Sequence, residues 1–140
     1  MMQNFHVGIK AIIIINKKAL VLKEIDIRDN KTEIYDLPGG RIDGDEVIEE
    51  ALQRELKEEL GSNKYKIGEI IYAQRHPYIT ENGIPRVLIY YLVDVKNPKV
   101  KLSHEHLSFE WMSKKDLQNV IKNKGKMHIG IRTALAKALE

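Results

Sequence analysis

The sequence predicts a mixed α and β fold, and three observations carry that expectation. Two runs rich in Ile and Val, Val7 to Ile15 and Ala19 to Lys23, read as strands. Val87 to Val93 is apolar throughout, as a central strand covered on both faces would be. Between these, Ile48, Leu52, Leu56 and Leu60 recur every four residues, the stripe of an amphipathic helix facing a core. A chain of 140 residues is one domain, 1–140, of a size that buries a proper core.

The elements follow in order. Asn16-Lys17-Lys18 separates the first two apolar runs, so they read as a β-hairpin with a buried first strand. Asp26 to Thr32 is polar and forms a loop. Ile34 to Leu37 is a short strand ending at Pro38, after which Gly39-Gly40 turns the chain. The helix carrying the stripe starts near Asp45 and stops at Gly61, a glycine suited to a left-handed C-cap. Its N-cap falls to Asp43 or Asp45, because Val47 has no side-chain acceptor. Tyr65 to Gln74 and Arg86 to Val95 are strands, with Asn82-Gly83 as a turn signal between them. Phe109 to Met112 is a last short strand, and Ser113-x-x-Asp116 opens a helix as a capping pair. Ile131, Ala134, Leu135, Ala138 and Leu139 mark a C-terminal amphipathic helix.

Composition narrows the functions. The net charge of +3 and pI near 9.0 suit an anionic substrate, and no run of five Lys/Arg suggests a polynucleotide-binding tail. Cysteine is absent, which excludes disulfides, thiolate catalysis and Cys-based metal sites. The longest strongly apolar run, Ala11 to Ile15, is too short to span a bilayer or to act as a secretion signal. A cytoplasmic protein with no membrane segment is the expectation.

The chemistry gathers between Gly40 and Gly61. Glu55, Glu58 and Glu59 stand three and four residues apart, so a helix projects their carboxylates from one face. Crowded carboxylates repel one another unless cations lie between them. Oxygen-only ligands suit Mg²⁺ or Mn²⁺, and such sites usually handle phosphate. The whole stretch reads Gly40-x5-Glu46-x7-Arg54-Glu55-Leu56-x-Glu58-Glu59-x-Gly61. It resembles the signature box of the Nudix hydrolases, which cleave nucleoside diphosphates linked to another group. With each fixed position matching by composition about one time in 15, all seven matching has a probability on the order of 10⁻⁸. Ser62 departs from the aliphatic residue usual after the last glycine, at a position of packing rather than chemistry.

That resemblance implies an α/β/α sandwich with a mixed sheet between helices. It implies that Glu55, Glu58 and Glu59, with a carbonyl of the glycine pair at Gly39, hold the divalent ions. Glu58 would also take the proton from the attacking water, and Arg54 would orient a metal-binding carboxylate. A helical pairing of Glu50 with Arg54 is the plainer reading of that arginine. Glu105 lies six residues before Trp111, a spacing at which some family members place a basic or metal-binding carboxylate; the alternative is a solvated loop acid. Its neighbours His104 and His106 lack the further ligands of a zinc site. Trp111 reads as core filler, while Tyr72, Tyr78, Tyr90 and Tyr91 include candidates for stacking on a base. Lys23, Arg28, Arg75 and Arg86 are candidates for phosphate or sugar contacts, so the substrate-binding set is Arg28, Arg75, Arg86 and Tyr78.

The implied reaction is Mg²⁺- or Mn²⁺-dependent hydrolysis of a nucleoside triphosphate to the monophosphate and pyrophosphate. ADP-ribose, dinucleoside polyphosphates and a non-catalytic nucleotide-binding module are the alternatives. Pro77 and Tyr78 match the markers of the ADP-ribose and dinucleoside polyphosphate subfamilies at once, so they choose neither. The expected partner is a small nucleotide rather than a polynucleotide, and family members often pair into homodimers.

Overall fold

The computed structural model describes residues 2–26, 28–61, 64–76, 83–96 and 99–140. Eight strands and three helices follow one another: β1 (His6–Ile12), β2 (Ile14–Ile15), β3 (Lys18–Ile25), β4 (Glu33–Asp36), β5 (Gly39–Arg41), α1 (Ile48–Leu60), β6 (Tyr65–Arg75), β7 (Arg86–Val95), β8 (Ser108–Ser113), α2 (Lys114–Lys122) and α3 (Ile129–Ala138). The strands form two four-stranded sheets. The first runs β5-β1-β7-β6 and is mixed, with β1 and β7 parallel and the other pairs antiparallel. The second is antiparallel and centred on β3, with β8 along one edge and β2 and β4 sharing the other.

Helices cover both faces of the strands. Leu52, Leu56 and Leu60 of α1 pack with Ile9, Ala11, Leu20, Leu22 and Val93 in one core. Ile131, Ala134 and Leu135 of α3 and Leu117 of α2 pack with Ile12, Val21, Leu88 and Met112 in another. The α/β/α arrangement is therefore as expected, and the helical stripes at 48–60 and 131–139 are the buried faces. β7 is central and covered on both sides: Leu88 and Tyr90 enter the second core, Tyr91 and Val93 the first. Trp111 packs against the first core, as its filler reading anticipated.

Several local expectations are corrected. The run from Val7 to Ile15 is not one arm of a hairpin. It breaks at Ile13, where the chain leaves the first sheet for the second, and only Ile14–Ile15 pair with β3. Asn16 and Lys17 both have positive φ, 52° and 64°, which gives a two-residue turn whose twist suits the strands. Gly39-Gly40 do not turn the chain but form β5, opposite Lys10 and Ile9. The N-cap of α1 is Val47, with no side-chain cap bond, so neither Asp43 nor Asp45 serves that end. Gly61 does close α1 at positive φ, 93°, but its ψ of −171° lies outside the left-handed helical region. Ser113 and Asp116 form the expected capping box at α2. Ser62, Pro77, Tyr78 and Asn82 lie outside the described residues.

Candidate active site

Helix α1 lies against β5, and the two glycines of that strand explain how closely. Glu55 rests on Gly40: a Cβ on that glycine would run into the Glu55 carboxylate. Glu59, one turn on, receives the Gly39 amide at 3.0 Å. Gly39 has φ +143°, and a Cβ there would strike the Ile9 carbonyl across the strand pair. Each inward glutamate thus has its own glycine, a match of the helix's four-residue step to successive strand residues. Glu58 turns outward and is 61% exposed, its carboxylate 3.7 Å from Arg54.

Arg54 organises this edge. Its Nε and Nη2 grip Glu46 as a fork at 2.8 and 2.9 Å, and its Nη1 donates to Glu55 at 2.9 Å. Nη2 also reaches the Arg41 carbonyl at 3.3 Å and lies 3.4 Å from Asp43. Glu46 accepts the Asp43 amide as well, at 3.0 Å. The loop between β5 and α1 is thereby pinned to the helix. Glu50, the helical partner expected for Arg54, is not among its ion-pair partners within the described residues.

Burial sets the charges. Glu59 is 7% exposed, and burial pushes its carboxyl up to about 8 despite Lys10 and the Gly39 amide. Glu55 is also raised, by burial first, with Arg54 pulling the other way. Glu46 is held down at about 2 by its bonds from Arg54. A buried carboxylate raised in this way is an anion short of positive charge, which is the condition a cation relieves.

Three further charged groups adjoin the site, and none was singled out from the sequence. Lys10, on the strand beside β5, donates to Asp36 at 3.2 Å and to the Leu37 carbonyl at 3.3 Å. Asp36 also faces Glu24, and the two carboxyls act on each other's charge. Burial pushes Asp36 up, but Lys10 and the Leu37 amide outweigh it and keep it ionised. Burial, and then Asp36, pushes the Glu24 carboxyl up to about 7. The one signal in the sequence was Lys10 itself, a charge inside an apolar strand.

The remaining candidates are scattered. Glu105 is exposed in the loop before β8; its neighbour His106 lies 3.6 Å from Glu24. Arg28 is engaged bidentately with Asp26, and Arg75 lies over the Phe5 ring at 5.5 Å. Arg86 begins β7, partly buried. Lys23 stands over the Tyr35 ring at 5.0 Å. Tyr78 lies outside the described residues.

Donor type and unmet buried charge both fit a hard divalent ion, which would be held by Glu55, Glu59 and the backbone at Gly39. No three acidic or histidine side chains among the described residues converge as a closed cage. Glu58, exposed on the same helix beside Arg54, would complete the shell.

A glycine-backed acid helix of this kind defines a class of phosphoanhydride-cleaving proteins, and comparison with known proteins gives the family. The family model of the NUDIX domain matches residues 4–135. The chain belongs to that family and is a Nudix hydrolase, a pyrophosphohydrolase by class. No curated protein matches it. Among solved structures it is similar to a MutT NUDIX hydrolase from Burkholderia pseudomallei, at 25% identity and TM-score 0.73, covering 96% of this chain and 98% of that one. It is similar to an Ap4A hydrolase from C. elegans, at 24% identity and TM-score 0.71, covering 95% and 94%. An ADP-ribose pyrophosphatase from Streptococcus suis shares the fold at 19% identity and TM-score 0.66, covering 97% and 89%. No helix among the described residues is long and apolar enough to cross a membrane.

Proposed function

We propose that this protein hydrolyses a nucleoside triphosphate to the monophosphate and pyrophosphate, with Mg²⁺ or Mn²⁺ as cofactor. The observation that carries the reading is the pairing of Glu55 with Gly40 and Glu59 with Gly39, with Glu58 beside them at the solvent edge. In this reading Glu55, Glu59 and the Gly39 backbone hold the ion, and Glu58 completes its shell. A bound divalent ion screens the diphosphate and lowers the pKa of water. Glu58, exposed at the edge of the helix, receives the proton from the attacking water; Glu105, in the loop before β8, is the alternative acceptor. Arg54 keeps Glu55 in place by holding it and Glu46 at once. Lys10 keeps Asp36 ionised without drawing on the ion.

The similar ADP-ribose pyrophosphatase and Ap4A hydrolase support a second reading, in which the same machinery opens the anhydride of one of those two compounds. A panel of nucleoside triphosphates, ADP-ribose and dinucleoside polyphosphates, incubated with Mg²⁺ and analysed for products, separates the two. Pyrophosphate and monophosphate from a triphosphate, abolished by chelation, is the expected result. Turnover of ADP-ribose or a dinucleoside polyphosphate alone transfers the assignment to that substrate. Glu58→Gln is expected to fold normally and to lower kcat by about 10²–10⁴-fold. Wild-type turnover in that variant removes Glu58 from the chemistry. Nucleotide binding with no turnover by any wild-type preparation leaves only a binding module.

A further inference from the structure

The loop that leads into β8 runs from the acidic end of α1 to β3 and is tied down at both ends. The Lys101 amide donates to the carbonyl of Leu60, the neighbour of Glu59, at 3.4 Å. The Leu107 amide donates to the carbonyl of Lys23, the neighbour of Glu24, at 2.8 Å. Leu102 packs against the first core beside the first of these anchors. Between them the chain makes a tight turn, closed by the His106 amide on the Ser103 carbonyl at 3.2 Å.

One side chain of that turn is turned inward. His104, Glu105 and Leu107 are exposed, whereas the His106 side chain is only 5% exposed. A buried imidazole has two ring nitrogens to satisfy. Nδ1 lies 3.3 Å from the Ser103 hydroxyl of the same turn, and Nε2 lies 3.6 Å from the Glu24 carboxylate on β3. Burial lowers the pKa of the ring, so it is neutral near pH 7 and carries one proton. The tautomer with that proton on Nε2 answers both contacts, because Nδ1 then accepts from Ser103. His106 thus joins loop to strand through side chains, beside the backbone bond made by Leu107.

Glu24 connects this contact to the candidate active site. It faces Asp36, which Lys10 holds at 3.2 Å, and Lys10 and Asp36 both act on the charge of Glu59. Glu105 precedes His106 in the chain, and its charge is felt by Glu24 and by the His106 ring alike. Two carboxyl groups gain nothing by approaching each other, so neither Glu24 nor Glu105 draws the turn toward β3. The inward imidazole between them in the loop supplies that attraction.

We propose that His106 is a positioning residue, which clamps the turn to Glu24 and thereby keeps Glu105 at the edge of the site for turnover. The inference rests on the hydrolase reading and gives Glu105 a share in the reaction beside Glu58. His106→Leu removes both ring nitrogens while keeping an apolar side chain in the buried space, and His106→Gln returns a donor. Hydrogen–deuterium exchange reads the clamp without reference to turnover. Amides of residues 103–107 are expected to exchange about tenfold faster in His106→Leu, with those of α1 unchanged. Unchanged exchange in the turn overturns the proposal. Kinetics with Mg²⁺ and the nucleotide that the wild type hydrolyses read the consequence. In His106→Leu kcat is expected to fall about 10–100-fold with KM within about twofold, and His106→Gln to recover part of the loss. The double variant His106→Leu/Glu105→Gln is expected to be no slower than Glu105→Gln alone, since nothing is then left to position. Should His106→Leu fail to fold, Ser103→Ala, which removes the partner of Nδ1, carries the same comparison. Losses that multiply in the double variant, or wild-type turnover in Glu105→Gln, overturn this role and leave the hydrolase reading standing. Equal kcat in the Leu and Gln variants with a lowered urea midpoint makes His106 a residue of stability alone and overturns it too. A wild type that hydrolyses no nucleotide sinks the hydrolase reading, and this role with it.

Discussion

Gly40 shows how much a single hydrogen atom decides. The Glu55 carboxylate occupies the space a side chain would need, and α1 is held down on β5 from either side of it. Gly40→Ala forces the carboxylate or the helix to move. Its expected result is a loss of about 1–3 kcal/mol in urea unfolding, the usual scale of overpacking. A fall in Mg²⁺-dependent turnover should accompany it. Unchanged stability and turnover would mean that the carboxylate does not sit on that glycine in solution. Residues of this kind were legible in the sequence because the constraint is local: glycine and glutamate recur at separations set by one helix and one loop. Lys10, Asp36 and Glu24 were not, since they come from three strands and meet only through the pairing of β1 with β5 and β3 with β4. Nothing in their spacing distinguishes them from surface charges, except that Lys10 interrupts an apolar run.

At the scale of the element, α1 was readable in its interior and misread at its start. The four-residue stripe marks the buried face without reference to anything else, and Leu52 and Leu56 are fully buried. The beginning depends on the loop before it, where Arg54 and the Asp43 amide tie Glu46 down and make a side-chain cap dispensable. Val47 occupies the cap position in extended conformation, φ −79° and ψ 159°, and is 59% exposed. That backbone suits a capping hydroxyl. Val47→Ser should therefore raise stability by about 1 kcal/mol and leave kcat unchanged. A destabilised variant would show that Val47 contributes packing that outweighs a cap. The broken strand at Ile13 was illegible for a related reason. Five isoleucine and alanine residues in succession are equally good in either sheet, and only the placement of β3 decides where the chain crosses.

Across the whole molecule, polar ties join segments far apart in the chain. Asp26 is 5% exposed and takes Arg28 from its own loop and Lys126, at 2.6 Å, from the connection between α2 and α3. Asp29 of the same loop also meets Lys126 and Thr32. Hydrogen bonds from Arg28, then from Lys126, hold the Asp26 carboxyl well below the usual carboxylate range. Its folded pKa is thus depressed relative to the unfolded chain. The stabilisation is present above the unfolded value, about 3.9, and is lost as pH falls from there toward the folded value. Unfolding by urea between pH 7 and pH 2 should show this loss, and Asp26→Asn should flatten the acid limb while lowering stability at pH 7. An unaltered acid limb in that variant would assign the acid sensitivity to other carboxylates. The layered α/β/α plan was legible from periodicity together with the box, because buried faces repeat at 2 or 3.6 residues whatever the topology. The division into two sheets was not, since it depends on which strand each edge finds.

The parallel pairing of β1 with β7 also governs how the chain is made. Ile9 finds its partner at Ile89, so β1 leaves the ribosome long before the strand it pairs with. Contacts so distant along the chain slow folding and keep sticky backbone edges exposed to other molecules. The isoleucine-rich β1 is therefore the segment on which a chaperone would act, and the point from which a stalled nascent chain would aggregate.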